Sequence, residues 1–407
     1  MSAVSPDSTR SARVPRGVWV LGFVSLLMDL SSELIHSLLP VFMVTSLGAS
    51  AFVVGIVEGV AEATALIVRV FSGALSDYLG RRKALAIAGY GLGALSKPLF
   101  ALATSIGWVL TARFIDRIGK GIRGAPRDAL IADLTPPEIR GAAYGLRQTL
   151  DTVGAFFGPL LAVALMLIFA GDFRSVFWIA VVPGFLSVTL LIVGIRESER
   201  AAGAARAVNP LHLNSLREFS PVYWWIVLAG GIFTLARFSE AFLLLRAQQQ
   251  GLPDTYAPFV LVLMNVVFAL TAYPMGRLAD RVNPTALLGA GLAVLIAADI
   301  VLARATALSA TAAGVALWGL HMGMTQGVLS AMVAGNSPSL LRGTAFGLFN
   351  LVSGIAMLIA SVLAGVLWDR YGAPTTFYAG ATFALAAFLL FALARTRQRR
   401  HAKPNDA

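Results

Sequence analysis

The sequence has no cysteine. That excludes a disulfide, a thiolate nucleophile and any cysteine-held metal. Histidine is scarce, at four in 407 residues, which leaves little for a histidine-rich metal enzyme. Charge is scarce as well: 13% of residues are Asp, Glu, Lys or Arg, against about 25% in soluble domains. There is no glycine-rich nucleotide loop, so ATP hydrolysis is not indicated and no cofactor is called for. A membrane-embedded enzyme would need a catalytic constellation that these residue types do not supply. A sensor or scaffold would be expected to carry a larger soluble domain than the loops allow.

What remains is apolar. Hydrophobic residues make up 57% of the chain and the mean hydropathy is +0.77. Spans of about 20 apolar residues cross a bilayer as helices, so the expected fold is an all-α membrane protein with twelve transmembrane helices. The spacing predicts helices near 17–46, 52–76, 84–104, 107–132, 141–168 and 174–195, then 221–247, 256–279, 285–304, 307–333, 343–368 and 374–394. Residues 1–16 form a polar N-terminal tail. The first apolar run is too long for a signal-peptide core and lacks a small-residue cleavage site, so it reads as an uncleaved helix. The polar segment 196–220 divides two six-helix halves, 17–195 and 221–394, and 395–407 is a basic tail.

Charge placement predicts sidedness. Outside the helices, most Lys and Arg share a side with the loop after Gly73, and four (Arg174, Arg246, Arg304, Arg370) fall on the other. That bias puts both termini in the cytoplasm, and fits a plasma (inner) membrane. Trp19, Trp108, Trp178, Trp224, Trp225 and Trp368 fall near span ends, where interfacial aromatics belong. Topology thus accounts for the net charge of +11, and nucleic acid is not an expected partner.

The halves echo each other. Gly73-Ala-Leu-Ser-Asp77 is matched by Gly276-Arg-Leu-Ala-Asp280, and Arg140-Gly141-Ala-Ala-Tyr-Gly145 by Arg342-Gly343-Thr-Ala-Phe-Gly347, each just over two hundred residues later. Ser32-Glu33 is echoed by Ser239-Glu240 at nearly the same separation. The pattern indicates a duplicated six-helix unit in parallel repeat.

The run Gly73-Ala-Leu-Ser-Asp77-Tyr-Leu-Gly80-Arg81-Arg82-Lys83 reads as a tight loop between helices 2 and 3. A generic positive-inside loop accounts for the basic residues but not for the glycines and aspartate at this spacing. The order Gly-x-x-x-Asp-x-x-Gly-Arg-Arg resembles the signature loop of the major facilitator superfamily. Gly154-Ala-Phe-Phe-Gly158-Pro159 resembles the helix 5 antiporter motif of that family's exporters, although Leu160-Leu161-Ala162 stand where the fuller motif has more glycine. Arg113-Phe-Ile-Asp116-Arg117 resembles the family's helix 4 pattern Arg-x-x-Gln-Gly, with Asp and Arg replacing Gln and Gly. The resemblance implies a secondary transporter that rocks two halves about a midplane site, with Asp77 and Arg81 setting the balance of its two states. Its exporter branch implies proton-driven efflux by a functional monomer. Uptake by proton symport stays open.

Ionisable groups within spans are costly and point to function. On helix 4, Arg113, Arg117, Lys120, Arg123 and Arg127 fall within an arc of about 120°. Two readings are open: an anion-binding stripe, or internal pairing with acids. Arg113 and Arg117 are placed in the cavity, and Arg123 and Arg127 at a cytoplasmic gate. On helix 1, Asp29, Glu33 and His36 share a face. They suit proton loading, weak metal ligation (nickel or iron, with Met322, Met324 and others from helix 10) or simple pairing. Glu58, Glu62 and Arg69 share a face of helix 2, and Glu62 is a further proton candidate. Lys97 is either a partner for an acid or a side chain reaching the interface. Arg147 and Asp151 on helix 5 form an ion pair one turn apart or a link to helix 1. In the second half, Arg237, Glu240, Asn265, His321, Gln326 and Asn350 are the polar features. Proton candidates are therefore Asp29, Glu33, Glu62 and Asp151. Substrate candidates are Arg113, Arg117, Arg147, Glu240, His321 and Gln326. The basic stripe suits an organic anion, the helix 1 face a divalent metal, and the apolar second half an amphipathic drug-like or lipid-like compound.

Overall fold

The computed structural model describes residues 14–79, 81–195, 218–279, 281–338 and 341–401. The linker 196–217, Gly80, Asp280 and the tail ends fall outside that range. Among the described residues the chain is helical throughout, with twelve spanning helices and no strand. The first is in two pieces, α1a (Arg16–His36) and α1b (Leu39–Thr45). Then come α2 (Ala51–Leu79), α3 (Arg82–Ala101), α4 (Ile106–Leu134), α5 (Arg140–Ile168) and α6 (Phe173–Gly194). The seventh is again in two pieces, α7a (Pro221–Ala236) and α7b (Ala241–Gln249). It is followed by α8 (Phe259–Ala279), α9 (Pro284–Arg304), α10 (Leu308–Gly335), α11 (Arg342–Tyr371) and α12 (Ala373–His401). Helices α1–α6 and α7–α12 form two pseudo-symmetric bundles. Ten helical segments are long and apolar enough to cross a membrane. Helices α4 and α10 fall outside that set, and eight charged residues interrupt α4.

Four features differ from the sequence expectation. The motif after Gly73 is not a loop along its length: α2 continues through Leu79 and α3 resumes at Arg82. Nothing between Ala74 and Leu79 breaks a helix, so α2 runs on through most of the motif. Helix 1 is interrupted at Ser37–Leu38, because Pro40 lacks an N–H and its ring crowds the preceding turn. Helix 7 is interrupted at Arg237–Glu240 with no proline. There the Ser239 N–H donates to Ser361 Oγ on α11 (3.2 Å), and Ser239 Oγ accepts from the Ala241 N–H (3.2 Å). The fourth concerns the echo of Ser32-Glu33 in Ser239-Glu240, which is out of register. Helices α3 and α9, α4 and α10, and α5 and α11 begin at one common separation, and so do α1b and α7b. On that alignment Glu240 answers Leu38, not Glu33.

The two bundles meet tightly along α2 and α11. A Cβ on Gly55 would lie 2.2 Å from the Ser361 carbonyl oxygen, and one on Gly365 would lie 2.6 Å from that of Ala51. At the end of the molecule away from Arg81 (the far end), Asp369 of α11 accepts from the first N–H groups of α2. Oδ1 takes that of Ala51 (3.1 Å) and Oδ2 that of Phe52 (2.9 Å). A carboxylate from one bundle thus caps the N-terminus of a helix in the other. At the opposite end (the motif end), Arg82 pairs with Asp133 and donates to the Ala129 carbonyl, which ties α3 to the end of α4.

Candidate substrate and proton site

Helix α4 builds the site. Its side-chain cap is Ser105, whose Oγ accepts from the Trp108 N–H (3.3 Å). The arginines of its positive stripe each meet a carboxylate from a neighbouring helix. Arg113 Nη2 donates to Glu58 Oε2 (2.6 Å), and Arg117 Nη1 lies 3.1 Å from Glu62 Oε1, both on α2. Arg123 Nη2 lies 3.5 Å from Asp29 Oδ1 on α1a. Arg127 Nη1 lies 3.7 Å from Asp151 Oδ2 on α5 and donates to Ser25 Oγ (3.0 Å). Arg147 in turn pairs with Asp151 one turn along α5 (2.5 Å). Buried charges persist when paired in this way.

Behind the stripe lies a second, drier cluster. Asp116 accepts from Lys97 Nζ (2.7 Å), which also donates to Ser32 Oγ (2.9 Å). Lys97 is therefore a partner for an acid, not a side chain reaching the interface; it is 0% exposed. His36 bridges the two layers. Its Nδ1 is 3.1 Å from Arg117 Nη2 and 3.9 Å from Glu33 Oε1, and its Nε2 is 3.4 Å from Asp116 Oδ2. Arg117 has only protons to offer, so Nδ1 is the acceptor and the ring proton sits on Nε2, facing Asp116.

Two chambers open in front of these layers. The larger, of about 730 Å³, is lined by Asp29, Asp151, Arg147 and Arg69 and by apolar side chains of α5 and α8, including Phe156 and Phe268. The smaller, of about 290 Å³, lies toward α1b and α7b and is lined by His36, Glu58, Arg113, Arg117, Arg237 and Glu240. Glu33, Glu62 and Lys120 line both.

Helix α5 holds the acids of α1a in place. A Cβ on Gly154 would lie 2.5 Å from the Leu26 carbonyl and 3.2 Å from Asp29 Cβ, and one on Gly158 would lie 2.7 Å from Glu33 Cβ. The Gly-x-x-x-Gly face therefore seats α5 directly beneath both carboxylates. Gly158→Ala is expected to cost about 1–3 kcal/mol through overpacking and to lower the melting temperature, measured by thermal unfolding in detergent. A melt equal to wild type would mean the two helices are not in contact there.

Other expected residues lie elsewhere. His321 is 0% exposed and packs edge-on to Phe233 and Trp318, with ring centroids 6.0 and 5.8 Å away. Neither it nor Gln326 lines a chamber. Gly73 and Asp77 occupy the last turns of α2, and Arg81 is exposed at the start of α3. Pro159 lies within α5. Among the described residues no group of three His, Asp or Glu is disposed to hold a metal. Sequence reasoning missed Asp299 on α9, whose two carboxylate oxygens are buried without a hydrogen-bond partner beside Gly380. The signal was present, as a lone acid inside an apolar run.

A twelve-helix membrane bundle with paired charges around a central cavity is the architecture of a secondary transporter. The family model described as Major Facilitator Superfamily matches residues 21–359 and 241–407. An uncharacterized MFS-type transporter of Methanocaldococcus jannaschii is 31% identical over 392 residues, covering 94% of this chain and 96% of that protein. The multidrug resistance protein MdtH of Photorhabdus laumondii is 32% identical over 163 residues, 40% of this chain and 39% of that protein. Among solved structures, an inward-facing bacterial homolog of the human lysosomal transporter Spinster superposes with a TM-score of 0.77 at 18% identity, covering 97% of this chain and 100% of that one. The chain belongs to the major facilitator superfamily. It is an integral, multi-pass membrane transporter of small molecules and not an enzyme.

Proposed function

We propose that this protein is a proton-coupled exporter that works by alternating access, with both termini in the cytoplasm of a plasma membrane. The observation that carries the reading is the convergence of Asp29, Glu33, Glu62 and Asp151, from three helices, on one chamber. That chamber lies between α5 and α8, while the far end is closed along α2 and α11. With the termini cytoplasmic, this is an inward-open state. A proton arriving from the far side neutralises a chamber carboxylate and frees its arginine, which unlocks the return of the carrier to the cytoplasmic side. The similarity of part of the chain to a multidrug resistance protein favours export over symport. The metal alternative is disfavoured, because His36 Nδ1 already accepts from Arg117 and so has no lone pair for a ligand bond.

The test is proton movement in proteoliposomes, read with an entrapped pH-sensitive dye. Under an inward proton gradient, exported substrate should leave as protons enter. Glu33→Gln should abolish the coupled proton flux, and Asp29→Asn should reduce it. Full coupling in both variants, or substrate accumulated down the same gradient, would sink the exporter reading.

A further inference from the structure

We propose that Lys120 anchors the anionic head of an amphipathic monoanion at the junction of the two chambers, with Arg237 of the second bundle completing the clamp. This rests on the transporter reading above and names its substrate class.

Of the five basic residues on the α4 stripe, the four arginines have a carboxylate within 4 Å. Among the described residues Lys120 has no ion-pair or hydrogen-bond partner, and its side chain is exposed to the cavity. It sits one turn from Arg117 and from Arg123, whose charges repel it, while Glu33 and Glu62 line the same chambers without forming an ion pair with it. An unpaired ammonium held at that position, rather than paired as the arginines are, is a site awaiting an anion.

Arg237 supplies the second point. It lies in the break between α7a and α7b and lines the smaller chamber together with Lys120. Its Nε is buried without a hydrogen-bond partner. Glu240, three residues on, also lines that chamber but makes no ion pair within 4 Å with Arg237 among the described residues. An anion reaching both cations would link the first bundle to the second, so that binding itself biases the halves toward closure. A cation would face eight Lys and Arg side chains against six carboxylates around the two chambers, and most of those carboxylates are already engaged. Glu33, which like Glu62 lines both chambers but is not paired with an arginine, remains available for the proton. The apolar part of the ligand has its place in the larger chamber, against Phe156, Phe157 and Phe268. A compact polar anion would leave that wall dry and unused.

The probes are naphthalene-2-sulfonate and decanoate, with 2-naphthyltrimethylammonium as the matched cation, added to purified full-length protein in detergent. Both anions should raise the melting temperature and the cation should not. Lys120→Gln should weaken the apparent affinity for the anions about ten- to a hundredfold, as expected for the loss of a hydrogen bond to a charged group. Lys120→Arg should retain most of it. Without ligand, Lys120→Gln should melt at or above wild type, because it removes a repelled charge; a merely structural lysine would give a lower melt. Stabilisation by the ammonium probe, an anion response that survives in Lys120→Gln, or no response to either anion overturns the proposal. An anion response that depends on Lys120 supports the site even where the proteoliposome assay shows no coupled proton, and in that outcome it is the exporter reading that fails.

Discussion

Asp116→Leu is expected to destabilise the first bundle by about 3–5 kcal/mol, the cost of leaving a buried charge without its partner. The stranded group is Lys97, whose ammonium is 0% exposed and held by Asp116 Oδ1 at 2.7 Å. The single Ser32 hydroxyl at 2.9 Å cannot replace a carboxylate. The companion change Lys97→Met alone should also destabilise, because it takes from Asp116 its closest cation and leaves Ser96, His36 and the more distant Arg117 Nε at 3.8 Å. Together the two changes should restore most of the loss, since a buried ion pair exchanged for apolar side chains of similar size is often neutral. Recovery should stay incomplete, because His36 loses the carboxylate that lies 3.4 Å from its Nε2. A double-mutant cycle read by thermal unfolding measures this coupling directly. If Asp116→Leu melts with wild type, or the two losses simply add, the pair does not hold the bundle.

The second large effect is conformational. Gly55→Leu should leave both bundles folded and drive the far end open. The added side chain starts 2.2 Å from the Ser361 carbonyl, which belongs to rigid helical backbone. Closing over it costs about 1–3 kcal/mol of overpacking. At RT of about 0.6 kcal/mol that is roughly a five- to 150-fold shift in the ratio of closed to open states. The readout is simple because the chain has no native cysteine. A single cysteine in place of Leu244, which lines the smaller chamber and is 1% exposed, reports access from the far side. Its labelling by a water-soluble maleimide should accelerate in the Gly55→Leu background. Asp369→Ala should act in the same direction with less force, since it removes only a helix cap worth about 0.5–2 kcal/mol. Unchanged labelling in both backgrounds would show that α2 and α11 do not seal that end.

Much of the frame was legible because it depends on composition. Twelve apolar runs have few ways to satisfy their backbone in a bilayer other than as helices. The Gly154-x-x-x-Gly158 contact was legible for a similar reason, as missing side chains on one face announce a close neighbour. Pairing was not legible. The stripe on α4 could be drawn from helical geometry, but which acid faces which guanidinium depends on how α1, α2 and α5 pack around it. Thus Arg113 to Glu58 and Lys97 to Asp116 emerged only in three dimensions, and so did the isolation of Lys120. The break in helix 1 had a local cause in Pro40. The break in helix 7 did not, because it is held by a serine on α11 far along the chain. The Ser-Glu echo misled because two short polar pairs match easily, whereas the register of whole helices does not drift.

Those two breaks have a consequence for ancestry. They align at the same separation as the starts of α3 and α9, α4 and α10, and α5 and α11. Yet one is kept by an imino acid and the other by hydroxyl capture across the bundle. A shape conserved while its chemistry differs belongs to the single-copy forebear, before the gene doubled. The crowded charge on one side now, and the near-neutral wall opposite, record how far the twin copies have since drifted apart.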